Sequence, residues 1–222
     1  MNLTARQEWY KALHILFTNL GFACSAYDHA VFFKTEDTET YIVAIHVDDL
    51  TLATNSETTM AKLKQCLGTY FELVELGPIH WLLDIKVEQD RQAHTLSLLQ
   101  GAYIDKMLEH FILKDTHSAS IPLNPGPPLT DNQSLHSQED QDDMQGILYK
   151  QLVRSLLYIA WIMWPNVSFV VALLSCFMEK LGQTHWEAAK RVLRYLKGTQ
   201  HTALTYGSHT NRLLADWVSQ DH

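Results

Sequence analysis

The chain has few cysteines and no pattern that would pair them or bind zinc. Its three cysteines, Cys24, Cys66 and Cys176, lie far apart and form no CxxC motif. A disulfide framework and a zinc site are therefore disfavoured, and a reducing compartment is expected. The 12 histidines form no HxH or HExxH pattern, so the sequence does not indicate a zinc enzyme.

The sequence also lacks a recognisable targeting or membrane-spanning segment. Its first residues, MNLTARQEWYKAL, have neither the charged start nor the apolar core of a signal peptide. We therefore expect an intracellular protein, in the cytoplasm or nucleus, that is not secreted. The long apolar stretch over residues 156–178 is interrupted by Pro165 and Asn166. This interruption predicts two buried helices joined at Trp164-Pro165 and no membrane partner.

Positive charge is scarce, since 17 Lys and Arg oppose 25 Asp and Glu and the formal net charge is −8. This balance disfavours a general nucleic-acid surface, because phosphate contacts need basic side chains. The charge is unevenly distributed, however. Residues 131–143 are acidic, whereas a basic cluster lies near the C-terminus at Lys190, Arg191, Arg194 and Lys197.

What the chain does contain is ample apolar sequence, 46% of 222 residues, enough for one large domain or two small ones. The apolar periodicity predicts an α+β fold in which hairpins and helices alternate. Gly21 is expected to stop the first helix and Ser56 to cap the second. Residues 121–146, rich in proline and acids, predict a linker. The predicted helices cover residues 6–20, 57–67, 102–111 and most of 147–206, and the predicted strands cover 30–34, 41–46, 50–54, 81–88 and 95–99.

The most informative stretch is YIVAIHVDDLTLAT over residues 41–54, in which Asp48 and Asp49 separate two apolar β-type runs. Such a hairpin presents two carboxylates at a tight turn, and carboxylate oxygens suit Mg²⁺. Adjacent acids at a turn are more often simply solvated. Strand alternation would place His46 and Asp48 on one face, where they could bind a transition metal. More often, however, a histidine next to a pair of acids does not bind a metal.

Several separated motifs, in order, resemble the reverse transcriptase region of copia-type LTR retrotransposon Pol polyproteins. The resemblance covers nearly the whole chain. It is carried by Glu8-Trp9-Tyr10-Lys11-Ala12-Leu13, Asp28-His29-Ala30-Val31-Phe32, His46-Val47-Asp48-Asp49-Leu50, Trp81-Leu82-Leu83, Leu99-Gln100 with Ala102-Tyr103-Ile104, Ile121-Pro122-Leu123, residues 149–158, the run from His185 to Thr199, and Ala215-Asp216-Trp217.

The resemblance implies RNA-templated DNA synthesis by a polymerase with an antiparallel palm sheet, a helical thumb and a helical connection. Asp48 and Asp49 would be the catalytic, Mg²⁺-binding pair, with the metals activating the primer 3′-hydroxyl and stabilising pyrophosphate. The partners would be an RNA template and a DNA primer. The candidate nucleic-acid contacts are His46, Trp81, Lys190, Arg191, Arg194 and Lys197. Trp81 could equally be buried within its hairpin. The four basic residues are more simply interpreted as a solvent-exposed helix face than as a nucleic-acid contact.

Departures from the family pattern lead us to expect an inactive, truncated palm. In the family, the third carboxylate belongs on a strand before the helix that contains Trp9, and we expect this chain to begin after that strand. We likewise expect the fingers to be missing. His46 replaces a tyrosine, Asp84 a glycine, and Leu214 the first acid of the RNase H strand. The expected division is a truncated palm and thumb over 1–115, a linker over 116–146, a helical connection over 147–207 and an RNase H remnant over 208–222.

Two non-catalytic alternatives remain. The basic helix over residues 186–197 could bind nucleic acid without catalysis. Alternatively, the exposed palm edge could dock onto another polymerase chain, because an unpaired strand edge is a template for pairing.

Overall fold

The computed structural model describes residues 3–133, 148–179 and 181–207, which form two compact units that divide between Ile79 and His80. Within these residues the architecture is α+β, with two four-stranded antiparallel sheets and six α-helices. The general class expected from the sequence is therefore confirmed. The acidic stretch after residue 133 and the expected RNase H remnant lie outside the described residues, and the predicted domain division stays a prediction.

The first unit is a meander sheet with two helices. Helix α1 (Leu3–Asn19) is followed by strands β1 (Ala23–Cys24), β2 (Val31–Glu36), β3 (Glu39–His46) and β4 (Asp49–Thr54), then by α2 (Glu57–Gly68). The strands pair in sequence order β1-β2-β3-β4, with Phe32 opposite Val43 and Val43 opposite Leu52. The core comprises Leu13, Phe17, Phe22, Phe32, Tyr41, Val43, Leu63 and Leu67.

Local signals explain where these two helices begin and end. Gly21, with φ of 81°, follows α1, and the Phe22 N–H donates to the Phe17 carbonyl at 2.9 Å, which closes the helix as glycine C-caps commonly do. Ser56 caps α2, since its side chain accepts from the Thr59 N–H at 3.1 Å. The expected end of α1 at Gly21 and the expected start of α2 at Ser56 are both confirmed.

The alternating pattern of β3 separates two faces of this sheet. Tyr41 and Val43 are buried, whereas Ile42 between them is 42% exposed, as is expected for a strand covered on one face only. The partner of Ile42 on β2 is Phe33, which is also exposed. The uncovered face therefore carries apolar side chains at Phe33 and Ile42.

The second unit combines a small sheet with a helical bundle. Its elements are β5 (Trp81–Leu82), β6 (Ile85–Asp90), β7 (Thr95–Leu99), α3 (Gly101–His110), a 3₁₀ turn (Asp131–Gln133), α4 (Tyr149–Ile162), α5 (Pro165–Ser175), α6 (Gln183–Thr199) and β8 (Leu204–Gly207). Most of its core comes from α4, α5 and α6, and Leu152, Leu156, Val171, Val192 and Leu193 are fully buried.

The expected break in the long apolar stretch is confirmed at Pro165. Helix α4 ends at Ile162, and Pro165 is the first residue of α5, a position that lacks an intrahelical N–H bond in any case. Among the described helices, none is long and apolar enough to cross a membrane.

Strand β8 departs from the mainly helical expectation for residues 147–206. Leu204–Gly207 pairs with β7, so that Tyr206 lies opposite Leu96 and Leu204 opposite Leu98. The pairing spans more than 100 residues, and no local pattern could indicate it. Gly207 suits the position, since a Cβ there would lie 2.7 Å from the Thr95 methyl carbon.

Candidate active-site turn

The two adjacent acids lie at the β3–β4 hairpin. His46 pairs with Asp49, which leaves Val47 and Asp48 as a two-residue loop. Val47 has φ of 55°, a left-handed conformation that costs a residue with a Cβ about 1–2 kcal/mol. Asp48 is the second residue of the loop and Asp49 the first residue of β4, and both side chains are exposed. The sequence located the acids correctly, but their adjacent apolar strands do not bury them.

Helix α1 holds this loop through Trp9. The indole Nε1–H of Trp9 donates to the Val47 carbonyl oxygen at 3.0 Å. The indole ring lies edge-on to Phe71, with ring centroids 5.2 Å apart and an interplanar angle of 67°. The sequence marked Trp9 as part of the apolar side of the first helix and of the family resemblance. It did not predict the hydrogen bond to the turn, which joins residues 38 positions apart.

A small pocket of about 130 Å³ lies between α1 and the hairpin. Its lining residues are Trp9, Tyr10, Ala30, Ile45, Val47 and Asp48. The Tyr10 hydroxyl donates to the His29 carbonyl at 2.9 Å. Burial raises the pKa of Tyr10, with Cys24 and Asp28 adding to the effect, so this hydroxyl remains protonated at neutral pH. The pocket is thus mainly apolar, with the carboxylate of Asp48 at its margin.

The expected His46/Asp48 pairing on one face is wrong. The loop at Val47 and Asp48 interrupts strand alternation, and His46 instead faces Asp49 across the hairpin. Directly opposed residues of an antiparallel pair lie on the same face. Within the described ranges, no group of three or more His, Cys, Asp or Glu side chains could hold a metal ion. The acidic side chains available to a hard cation at this turn are those of Asp48 and Asp49.

Trp81 lies in the second unit, at the start of a tight hairpin. It pairs with Lys86 and is 55% exposed, so it is not buried in the hairpin. The loop residues Leu83 and Asp84 have φ of 50° and 60°, values typical of a type I′ turn. The Tyr158 hydroxyl donates to the Leu83 carbonyl, and Lys106 forms an ion pair with Asp84. A glycine would adopt this turn without strain, and aspartate is among the residues that tolerate a positive φ, so the turn accommodates Asp84.

The basic cluster on α6 contacts its own chain. The Lys197 Nζ donates to the carbonyls of Lys114 and Thr116, the second at 2.8 Å, and the Arg191 Nε donates to the Ile121 carbonyl at 3.2 Å. The Ala119 N–H also donates to the Arg194 carbonyl at 3.2 Å. We call residues 114–121 the strap. It lies directly against the helix, since a Cβ at Gly198 would be 3.1 Å from the Ser118 Cβ.

These contacts qualify the solvent-exposed interpretation of the cluster, because part of it binds carbonyls of its own chain. All four basic side chains are only partly accessible. Lys190 forms an ion pair with Glu187 at 2.6 Å and lies 5.5 Å from the Trp186 ring centroid. The sequence did not predict the strap, because carbonyl acceptors 70 or more residues away leave no sequence signal. The role of these residues in nucleic-acid binding stays a prediction.

One buried group at the start of α6 was also missed. His185 is completely buried and stacks on Phe177, with ring centroids 4.1 Å apart. Burial lowers the pKa of His185, and the nearby Thr130 carbonyl and Asp131 oppose that shift. The fold therefore favours the neutral imidazole.

Comparisons with known proteins agree with the motifs. Residues 3–125 match the family described as "Reverse transcriptase (RNA-dependent DNA polymerase)". The chain is 30% identical over 204 residues, 91% of its length, to the "Retrovirus-related Pol polyprotein from transposon TNT 1-94" of Nicotiana tabacum. It is 30% and 29% identical over 88% of its length to the corresponding Pol polyproteins from transposons RE1 and RE2 of Arabidopsis thaliana.

The chain corresponds to a small part of those relatives. It spans 15% of the tobacco polyprotein and 13% of each Arabidopsis polyprotein. No solved structure matches the chain significantly.

Proposed function

This chain belongs to the reverse transcriptase (RNA-dependent DNA polymerase) family of copia-type retrotransposon Pol polyproteins, and we propose that it supplies part of the palm, the thumb and the connection of such a polymerase. The observation that carries the proposal is the strand–turn–strand hairpin that presents Asp48 and Asp49 to solvent beside a pocket. In this assignment the first unit contributes the palm hairpin. Trp81 lies on the hairpin that would contact a primer, and α3 would belong to the thumb.

The chemistry of the turn fits a divalent cation, because both available donors are carboxylates. Asp48 and Asp49 would hold Mg²⁺, and a bound cation supplies charge stabilisation for phosphoryl transfer. The chain's own residues shape the surroundings. The pocket wall of Trp9, Tyr10 and Ile45 borders Asp48 on one side, and the side chains of Asp48 and Asp49 are exposed to solvent, where an RNA template and a DNA primer would approach.

We further propose that these 222 residues alone do not extend a primer. Two carboxylates give a cation fewer ligands than the three that the family resemblance implies. Binding should consequently be weak, and the second ion of a two-metal site should be misplaced. The proposal concerns the isolated chain and not a longer protein that contains it.

Two measurements test this assignment. Mn²⁺ binding, followed by the paramagnetic broadening of NMR signals near the turn, should be weak in the native chain. It should be lost in the variant with Asp48→Asn and Asp49→Asn. Binding that is unchanged in this variant would remove the metal assignment. Primer extension on an RNA template with Mg²⁺ or Mn²⁺ tests inactivity, and extension that Asp49→Asn abolishes would contradict it.

Docking onto another polymerase chain is the second candidate, and the edge position of β4 favours it. Among the described strands β4 pairs only with β3. The pair that closes a two-residue loop exchanges hydrogen bonds, so the N–H groups of Asp49 and Thr51 should face β3 and that of Leu52 should face outward. Leu52→Pro should therefore abolish capture of a partner polymerase chain, whereas Asp48→Asn with Asp49→Asn should leave it intact. Capture that survives Leu52→Pro would exclude docking at this edge.

Non-catalytic nucleic-acid binding through α6 receives less support, because the strap already occupies Arg191 and Lys197. If it occurs, filter binding should weaken steeply with salt and Lys190→Glu with Arg194→Glu should reduce the slope. Binding that is absent or independent of salt would exclude it.

A further inference from the structure

The candidate active-site turn depends on one side chain from outside the hairpin. The Val47 carbonyl oxygen accepts the indole N–H of Trp9 at 3.0 Å, and no other side-chain hydrogen bond to this turn is seen among the described residues. Val47 itself adopts φ of 55°. A β-branched residue rarely occupies this conformation, and it persists only where neighbouring contacts hold it.

The direction of the Val47 carbonyl and the position of Asp48 are coupled. The two residues share a planar peptide group, so fixing the carbonyl oxygen of Val47 also fixes the orientation of the Asp48 amide. Asp48 lines the same pocket as Trp9 and Val47. A donor that anchors the Val47 carbonyl therefore limits the directions in which the Asp48 carboxylate can point.

The indole is itself held in place, which makes it an effective anchor. Its ring packs edge-on against Phe71, which follows α2, and α1 supplies its backbone. Phe71 and Trp9 both pack against the first unit's core. The N–H is thus fixed by elements that do not belong to the hairpin.

We propose that Trp9 is a positioning residue, which holds the strained Val47–Asp48 turn in the shape that directs the carboxylates toward a cation. This inference rests on the proposed metal-binding function of Asp48 and Asp49 for its consequence, but the anchoring itself does not require a metal. Trp9 does not touch the cation or substrate in this assignment. It acts through the backbone of Val47.

The test compares Trp9→Phe, which keeps an aromatic ring but lacks the N–H, with Phe71→Leu, which keeps the N–H but loses the ring contact. In the native chain the Trp9 indole N–H signal, assigned by its absence in Trp9→Phe, should exchange slowly with deuterium. The amide N–H of Asp49, which the register directs toward β3, should exchange roughly three- to tenfold faster in Trp9→Phe, the range expected for one lost hydrogen bond. Phe71→Leu should change this exchange by less than about twofold.

Mn²⁺ affinity supplies the second readout. It should fall roughly three- to tenfold in Trp9→Phe and should be nearly unchanged in Phe71→Leu. Equal losses in the two variants would show that Trp9 acts only through packing and would overturn the proposal. If the native chain binds no Mn²⁺, the function proposed for the acids fails. Unchanged exchange at the Asp49 N–H in Trp9→Phe would refute the anchoring independently of any metal.

Discussion

Replacing Lys197 by methionine is expected to release the strap from helix α6. The Lys197 ammonium donates to two strap carbonyls, those of Lys114 and Thr116. Methionine retains most of the apolar stem, so the substitution removes mainly the donor. The two carbonyls then depend on water, and the adjoining Ala119–Arg194 hydrogen bond should open more often.

The magnitude follows from the nature of these bonds. A hydrogen bond to a charged group contributes about 1.5–3 kcal/mol. Because water partly reaches Lys197, we expect the lower part of that range, about 1.5–2 kcal/mol for the site. If strap opening governs exchange, the Ala119 N–H should exchange with deuterium roughly 10- to 30-fold faster.

Lys190→Met is the matched control, because it removes the same charge from the same helix. Its partners are Glu187 on α6 itself and the face of Trp186, and neither belongs to the strap. Exchange at Ala119 should therefore stay within about twofold of the native rate. If the Ala119 N–H exchanges at the native rate in the Lys197→Met variant, Lys197 does not hold the strap against α6. A nucleic-acid role would instead make both substitutions reduce the salt slope of binding by about 0.9 each.

Three further predictions concern backbone strain, close packing and pH. Leu83→Gly should raise the free energy of unfolding by about 0.5–1 kcal/mol, since glycine adopts a positive φ freely, whereas Leu82→Gly in the adjoining strand should lower it; urea unfolding measures both. Gly198→Ala gains about 1 kcal/mol of helix propensity but places a Cβ 3.1 Å from the Ser118 Cβ, so this substitution should stabilise the chain more in a Ser118→Gly background than alone. The lowered pKa of His185 means that the fold disfavours its charged form, so unfolding free energy should fall as pH drops below about 6.5; a native-like pH profile in His185→Gln would contradict this.

Elements specified by neighbouring residues could be predicted from the sequence. Gly21 ends α1, Ser56 begins α2, and Pro165 separates α4 from α5, all as expected. Each of these signals acts within one turn of helix, through φ preference, a side-chain cap or a missing N–H. The β3–β4 hairpin was also predictable, because two short apolar runs flank its loop.

Features that depend on distant partners could not be predicted in this way. Strand β8 forms because β7 offers an edge, and the strap is ordered against α6 by Arg191 and Lys197. The basic spacing on α6 indicated a charged helix face but carried no information about which acceptors would meet it. The acceptors are backbone carbonyls, which every residue possesses, so no residue type marks them.

The same limit applies to the two acids at the centre of the site. Asp48 and Asp49 are adjacent in the sequence, yet their surroundings differ. Asp48 lies in the loop and lines the pocket with Trp9, whereas Asp49 opens β4 opposite His46. The loop interrupts strand alternation, so counting residues along the strand assigns the wrong partner to His46. In the proposed metal-binding role, a cation entering the pocket would meet Asp48 first, and the contribution of Asp49 would depend on how firmly Trp9 holds the Val47–Asp48 turn that precedes it.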